Sequence, residues 1–259
     1  MDEIGSLLHH RFKTYAELVA AREEAGLGTE IKPYKCSKCQ DTGWITVRRP
    51  DAQPTSIPCD CRSRTVFESS LRNSGIRSEL LERCTMERFE TNTENAKHMK
   101  EMAEAFLKDG SAKGFGCFGR SGTGKTHLCV AVCIKLAQTG RTVKYMAYNA
   151  VMRKLLANKF NEEGFAEILD PLAECNVLYI DDLFKNASDY RFNHLSQEEK
   201  RIMFELIDRR YQNNAVTIIS TEMLLSEIQK EDEALASRIY TLVGKYGVKC
   251  EGQNRRFHE

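Results

Sequence analysis

Eight consecutive residues, Gly119-Arg120-Ser121-Gly122-Thr123-Gly124-Lys125-Thr126, have the form GxxxxGK[ST]. The glycines let the backbone curl so that its N–H groups point inward, which suits phosphate oxygens. In such a loop Lys125 reaches the β- and γ-phosphates of a nucleotide, and the Thr126 hydroxyl ligates magnesium. The apolar run GFGCF, a predicted strand, precedes the string. A helical stretch carrying Leu128, Val130, Ala131, Ile134 and Leu136 follows it. A helix beginning there aims its positive end at the same anion. A chance match has no reason to fall between a strand and a helix. The sequence therefore points to ATP and Mg2+, with Gly119, Arg120, Ser121, Gly122, Thr123, Gly124, Lys125 and Thr126 as the binding residues.

A phosphate loop of this kind works with an apolar strand that ends in acids, and Val177-Leu178-Tyr179-Ile180-Asp181-Asp182 supplies one. Asp181 is expected to coordinate magnesium, usually through water, and Asp182 to orient or deprotonate the attacking water. The competing reading is a solvated loop start. Two adjacent carboxylates near a core edge are poor choices for structure alone.

Four of the ten cysteines fall in one short window, Cys36-Ser37-Lys38-Cys39 and Cys59-Asp60-Cys61, with 19 residues between the halves. Zinc takes four soft ligands in a tetrahedron, and two close pairs can provide them. Gly43 permits the tight turn a knuckle needs. The alternatives are an iron–sulfur cluster or unrelated buried thiols. A closed, structural Zn2+ site fits best, because a segment with so little core gains its stability from such a clip. The remaining cysteines are scattered (Cys84, Cys117, Cys129, Cys133, Cys175 and Cys250), a distribution typical of small buried hydrophobes.

These groups need elements to position them. From Met86 onward, helical stretches alternate with short apolar runs at Thr142–Met146, Val177–Ile180 and Val216–Ser220, the pattern of a parallel sheet between helices. A helix is predicted over Glu94–Lys108. Upstream, Ile4, Leu8, Phe12, Tyr15 and Leu18 recur at helical spacing, predicting an amphipathic helix that ends near Gly26 and Gly28. The segment Lys32–Pro58 holds four of the five prolines and the first pair of the cysteine cluster. A further helix is expected from Ser63 to Asn73, stopped by Gly75. The domains expected are 1–75, helical and metal-binding; 76–88, a linker; and 89–259, the nucleotide-binding domain.

The net charge is +1, so any contact with nucleic acid must come from local patches rather than from a global excess of positive charge. No apolar run approaches the roughly 18 residues of a membrane span, and the first residues lack the pattern of a signal peptide. A cytoplasmic protein with reduced thiols and no membrane role is expected.

Taken together, CSKCQDTGW, the second cysteine pair, TMERFE, GFGCFGRSGTGKTHL, VLYIDDL and LIDRRYQNNAVTIIST resemble the DnaC/DnaI-type helicase loaders of bacteria and phages, which are AAA+ ATPases of replication initiation. The resemblance runs from about residue 34 to the C-terminus. It implies an AAA+ α/β sandwich of the ASCE type, strand order 5-1-4-3-2, behind a small helical zinc-binding domain. It also implies ATP hydrolysis, a hexameric replicative helicase and single-stranded DNA as partners, and self-assembly in the ATP state. In Ser237-Arg238-Ile239, Arg238 matches the arginine finger that completes a neighbour's site. In Gly252-Gln253-Asn254-Arg255-Arg256, Arg256 matches an arginine that touches nucleotide or DNA. Thr221 and Glu222 stand where the family's first sensor is usually Asn. The segment from about Tyr148 to Leu172, with Arg153, Lys154, Lys159 and Phe160, corresponds to a wedge facing single-stranded DNA, although the spacing also fits an ordinary surface helix. The N-terminal module corresponds to the part that grips the helicase. Two other readings share the core: an IstB-type transposition helper, and a zinc-bearing ATP-dependent interaction module without a DNA role.

Overall fold

The computed structural model describes residues 34, 36–49, 52–59, 61, 69–185, 195–252 and 254. The predicted N-terminal helix, the start of the helix predicted from Ser63, and Arg256 lie outside them. The chain divides into two units, Met1–Arg62 and Ser63–Glu259.

In the first unit a cysteine-bearing turn leads into an antiparallel hairpin of β1 (Trp44–Arg49) and β2 (Ala52–Pro58), with Trp44 opposite Pro58 and Val47 opposite Thr55. The only buried side chains among its described residues are Cys39 and Cys59, while Trp44 and Ile57 are exposed. An isolated hairpin is marginal in water. This one has no hydrophobic core among its described residues to hold it.

The second unit has the opposite character. After α1 (Ser78–Arg83) and α2 (Glu94–Lys108) come β3 (Gly114–Gly119), α3 (Lys125–Gln138), β4 (Val143–Ala147), α4 (Tyr148–Ala157), α5 (Glu162–Glu174), β5 (Val177–Leu183), α6 (Gln197–Gln212), β6 (Val216–Thr221), α7 (Leu225–Glu231), α8 (Glu233–Val243) and β7 (Gly247–Cys250). The strands form one parallel sheet in the order β4-β5-β6-β3-β7. Numbered within this sheet, that is the expected 5-1-4-3-2 order.

Both faces of the sheet are covered, so successive strand residues belong to opposite cores. Phe115, Val177, Tyr179 and Ile218 join Met99, Phe106, Leu128 and Val132 of α2 and α3 on one face. Leu178, Ile180 and Ile219 join Leu155, Leu169, Leu206 and Ile239 of α4, α5, α6 and α8 on the other. Local signals set the helix limits. Thr93 caps α2 by accepting from Ala96 N at 3.2 Å, and Ser196 with Glu199 closes a capping box on α6. As expected, Cys84, Cys117, Cys129, Cys133 and Cys250 are buried; Cys175 is only partly so.

The expected boundary at 75 and the linker 76–88 require correction. Ser70 Oγ donates to Arg141 O and accepts from Val143 N, each at 3.1 Å, and Ser74 O accepts from Tyr145 N at 2.7 Å. Ile76, Cys84, Met86 and Phe89 are buried in the second unit's core. Residues 69–89 satisfy the free edge of β4 and then cover α3. Their polar, short-helix sequence carried no sign of these distant partners.

Candidate nucleotide and metal sites

The phosphate loop joins β3 to α3 at the C-terminal edge of the sheet. Gly119 has φ +125°, and a Cβ there would meet Cys250 O at 2.5 Å, so β7 can lie alongside only because the residue is glycine. Arg120 N donates to Cys250 O at 3.1 Å and fixes the loop's root. Gly124, with φ +96°, starts α3 without any side-chain cap. The first N–H groups of α3 therefore face the loop's hollow with no side chain capping them. Thr123 Oγ1 donates to Arg120 O at 2.9 Å. Lys125 folds back, its Nζ donating to Gly119 O at 2.6 Å and Arg120 O at 2.7 Å. Burial lowers its pKa, and the charges of Glu222 and Asp182 offset this only in part. The Asn254 side chain lies against Gly122, where a Cβ would overlap it.

Asp181 is 8% exposed and receives four hydroxyls. Thr126 Oγ1 donates at 3.2 Å, Tyr145 OH at 2.8 Å, Tyr179 OH at 2.5 Å and Ser220 Oγ at 2.6 Å. Three of the four fall on Oδ1 and one on Oδ2, so the carboxylate is held in one orientation while Oδ2 keeps an acceptor position open. The Asp181 charge and burial both raise the pKa of Tyr145 and Tyr179, burial being the larger cause. Thr126 and Asp181 thus meet from α3 and β5, and the oxygen pair fits a Mg2+ ion, a hard cation that favours oxygen ligands. The tyrosines and Ser220 were not singled out in the sequence, because they lie on three different strands. Position on adjacent parallel strands is the only signal that connects them.

Asp182 has φ +54° at the point where the β5–β6 register shifts. Its Oδ2 lies 3.2 Å from Lys185 Nζ, which is also 3.0 Å from Glu222 Oε1. Strand alternation explains why Glu222 comes here: Ser220 and Glu222 face the loop, whereas Thr221 turns away and donates to Leu183 O at 2.7 Å. Lys185, a residue that sequence reasoning missed, offsets the charge of Glu222.

Arg238, on α8, does not face this loop. Its Nε lies 2.7 Å from Asp208 Oδ1 on α6, and its guanidinium stacks over Tyr211 at 4.8 Å. Between α4 and α5, Phe160 is 92% exposed with Lys159 Nζ 4.9 Å from its ring, and Arg153 and Lys154 are exposed on the same helical pair.

In the first unit the sulfurs of Cys36, Cys39, Cys59 and Cys61 all lie within 4.8 Å of one another. Cys36 and Cys59 are 3.8 Å apart, Cys39 and Cys61 3.2 Å. Sulfurs bound at about 2.3 Å to one tetrahedral ion would be about 3.8 Å apart, so the set fits a metal. The turn that brings them together uses Gly43 at φ +74°, whose N–H donates to Cys39 Sγ at 3.3 Å. A backbone hydrogen bond at Cys39 pulls the Cys36 thiol down to about 7, while the neighbouring Cys39 thiol and burial push Cys61 up. Four thiols so crowded ionise together only around a cation.

Over residues 64–243 the chain matches the IstB-like ATP binding protein family. The Bacillus subtilis protein YqaM is 29% identical over 247 residues, covering 90% of this chain and 71% of that one. The replicative helicase loader DnaC of Escherichia coli is 26% identical over 168 residues, 63% of this chain and 65% of its own. The crystal structure of DnaI shares the fold, with a TM-score of 0.55 at 21% identity over 70% of this chain and 95% of that one. The family match spans more than half of the chain and includes the phosphate loop and the acidic strand: this chain belongs to the IstB-like ATP binding protein family and is an ATPase of the AAA+ class.

Proposed function

We propose that this protein is an ATP-dependent helicase loader, which binds a hexameric replicative helicase and helps deliver it onto single-stranded DNA. The observation that carries this reading is the four-cysteine module ahead of the ATPase unit. Such a module, held by Zn2+ rather than by a core, is a rigid handle for a protein partner. In the ATPase unit, Lys125 neutralises the phosphates, Thr126 and Asp181 hold Mg2+, and Arg238 reaches the γ-phosphate of a neighbouring copy. Exposed Phe160 stacks on a base while Arg153, Lys154 and Lys159 neutralise phosphates of single-stranded DNA. ATP binding favours the assembled loader; hydrolysis weakens it and frees the helicase. These events belong in the cytoplasm.

The family match itself favours a second reading, a transposition helper of the IstB type. Capture of partners on the full-length protein from its native cell, with ATP present, tests the choice. A loader retains the replicative helicase; recovery of a transposase without helicase rejects the loader reading.

A further inference from the structure

We propose that Glu222, rather than Asp182, is the carboxylate that orients and deprotonates the attacking water, and that Lys185 is the residue that positions it. This rests on reading the phosphate loop as the ATP site. Glu222 follows β6 by one residue and shares its loop-facing side with Ser220, whose hydroxyl holds Asp181 at 2.6 Å. The strand that fixes the magnesium ligand therefore also aims Glu222. Asp182 sits at a bulge, in the left-handed region at φ +54°, with a side chain one methylene shorter. Bulges beside active sites commonly re-aim a side chain, and this one turns Asp182 toward Lys185.

Electrostatics separate the two acids further. The Ser121 hydroxyl and the Lys125 charge of the phosphate loop both act on Glu222, and the Glu222 charge acts on Lys125 more strongly than that of Asp182 does. Burial alone would raise the Glu222 pKa. The hydrogen bond and charge of Lys185, the Ser121 hydroxyl and the Lys125 charge together bring it below the ordinary value. It is therefore ionised at neutral pH, the form that can accept a hydrogen bond from the attacking water. Lys185, 3.0 Å from Glu222 and 3.2 Å from Asp182, offsets the charge of both acids. When ATP enters, Ser121 and Lys125 turn to the phosphate oxygens, and Glu222 keeps Lys185. The water oxygen then bonds to the γ-phosphorus and its proton passes to Glu222. The bond to the β–γ bridging oxygen breaks, with its electron pair leaving on ADP.

The test compares E222Q, D182N, K185M, K185R and K125A for ATP turnover and for binding of a fluorescent ATP analogue. E222Q is expected to lose at least about 10²-fold in turnover, the usual contribution of a general base. It should bind the analogue as tightly as wild type or several-fold more tightly, because a negative charge beside the phosphates is gone. D182N should lose less turnover than E222Q. K185M should lose turnover, and K185R should recover part of it. E222Q within about threefold of wild type, or a larger loss in D182N, overturns the assignment. If K125A binds the analogue normally, the ATP-site reading falls and this one falls with it. A K125A that cannot bind, beside an active E222Q, overturns the role of Glu222 alone.

Discussion

Arg238 Nε and Asp208 Oδ1, on α8 and α6 of the same subunit, lie 2.7 Å apart. The arginine is 37% exposed, so the pair is worth at most about 1 kcal/mol. Its stacking on Tyr211 adds about 0.5–1 kcal/mol at such an exposed site. Both can be given up for a γ-phosphate in an adjoining subunit. Arg238→Ala is therefore expected to leave ATP affinity nearly intact and to reduce turnover on the order of 10³-fold. Each variant being inactive alone, a mixture of Arg238→Ala and Lys125→Ala subunits, with helicase and single-stranded DNA present, should regain hydrolysis. A mixture that co-assembles yet stays inactive shows that Arg238 does not act on a neighbour.

Lys125→Ala should abolish tight ATP binding. Nζ lies buried inside the loop, where it donates to the Gly119 and Arg120 carbonyls, and it is the cation the loop offers to phosphate oxygens. Titration of a fluorescent nucleotide checks this, and unchanged affinity removes the phosphate-loop assignment.

Tyr145→Phe deletes one of the four hydroxyls on Asp181 without changing the ring's shape. Groups that orient a metal ligand typically cost 10–100-fold in metal affinity when removed. The apparent Mg2+ requirement of ATP binding should rise about tenfold on that scale. A magnesium titration at fixed nucleotide measures it, and an unchanged midpoint contradicts the role given to the hydroxyl.

One zinc per chain is expected from elemental analysis of anaerobically prepared protein. Cys36→Ser or Cys61→Ser should lose the metal while ATP binding persists, because the cysteine cluster and the phosphate loop lie in separate compact units. Binding of the helicase should be lost in both variants. Acid should release the metal as well. Bound sulfur is thiolate, and proton uptake competes with the ion as pH falls. Wild type without zinc, or joint loss of metal and ATP binding, goes against this account.

Arg210 is wholly buried and bolts α6 to the end of α5 and the start of β6. Its Nε donates to Thr217 Oγ1 at 2.9 Å, Nη1 to Leu172 O at 2.7 Å and Cys175 O at 3.1 Å, and Nη2 to Val216 O at 2.6 Å. Arg210→Met keeps most of the volume but leaves those carbonyls without the guanidinium. Each unsatisfied buried group costs about 1–3 kcal/mol, so a loss of about 3–4 kcal/mol is expected. Denaturant unfolding of the ATPase unit measures it; a loss below about 1 kcal/mol, the worth of an ordinary net hydrogen bond, would refute the bolt.

Contiguity decided what could be read without a structure. Gly119–Thr126, Asp181-Asp182 and the cysteine pairs each act through neighbours in sequence, because a turn, a strand end or a knuckle is built from adjacent residues. Residue type and spacing then fix the chemistry. The sheet order was legible through resemblance, and both buried faces through the unbroken apolar strands. Tertiary structure alone decided which distant side chains complete those motifs. Tyr145, Tyr179 and Ser220 converge on Asp181 because three parallel strands align their ends. Lys185 joins Asp182 to Glu222 because a bulge and strand alternation turn them to one side. Residues 69–89 belong to the ATPase unit because they satisfy an open strand edge and cover a helix. Such pairings depend on where separate elements come to rest. That is settled by packing and by the need to satisfy buried polar groups, neither of which leaves a local pattern in the chain.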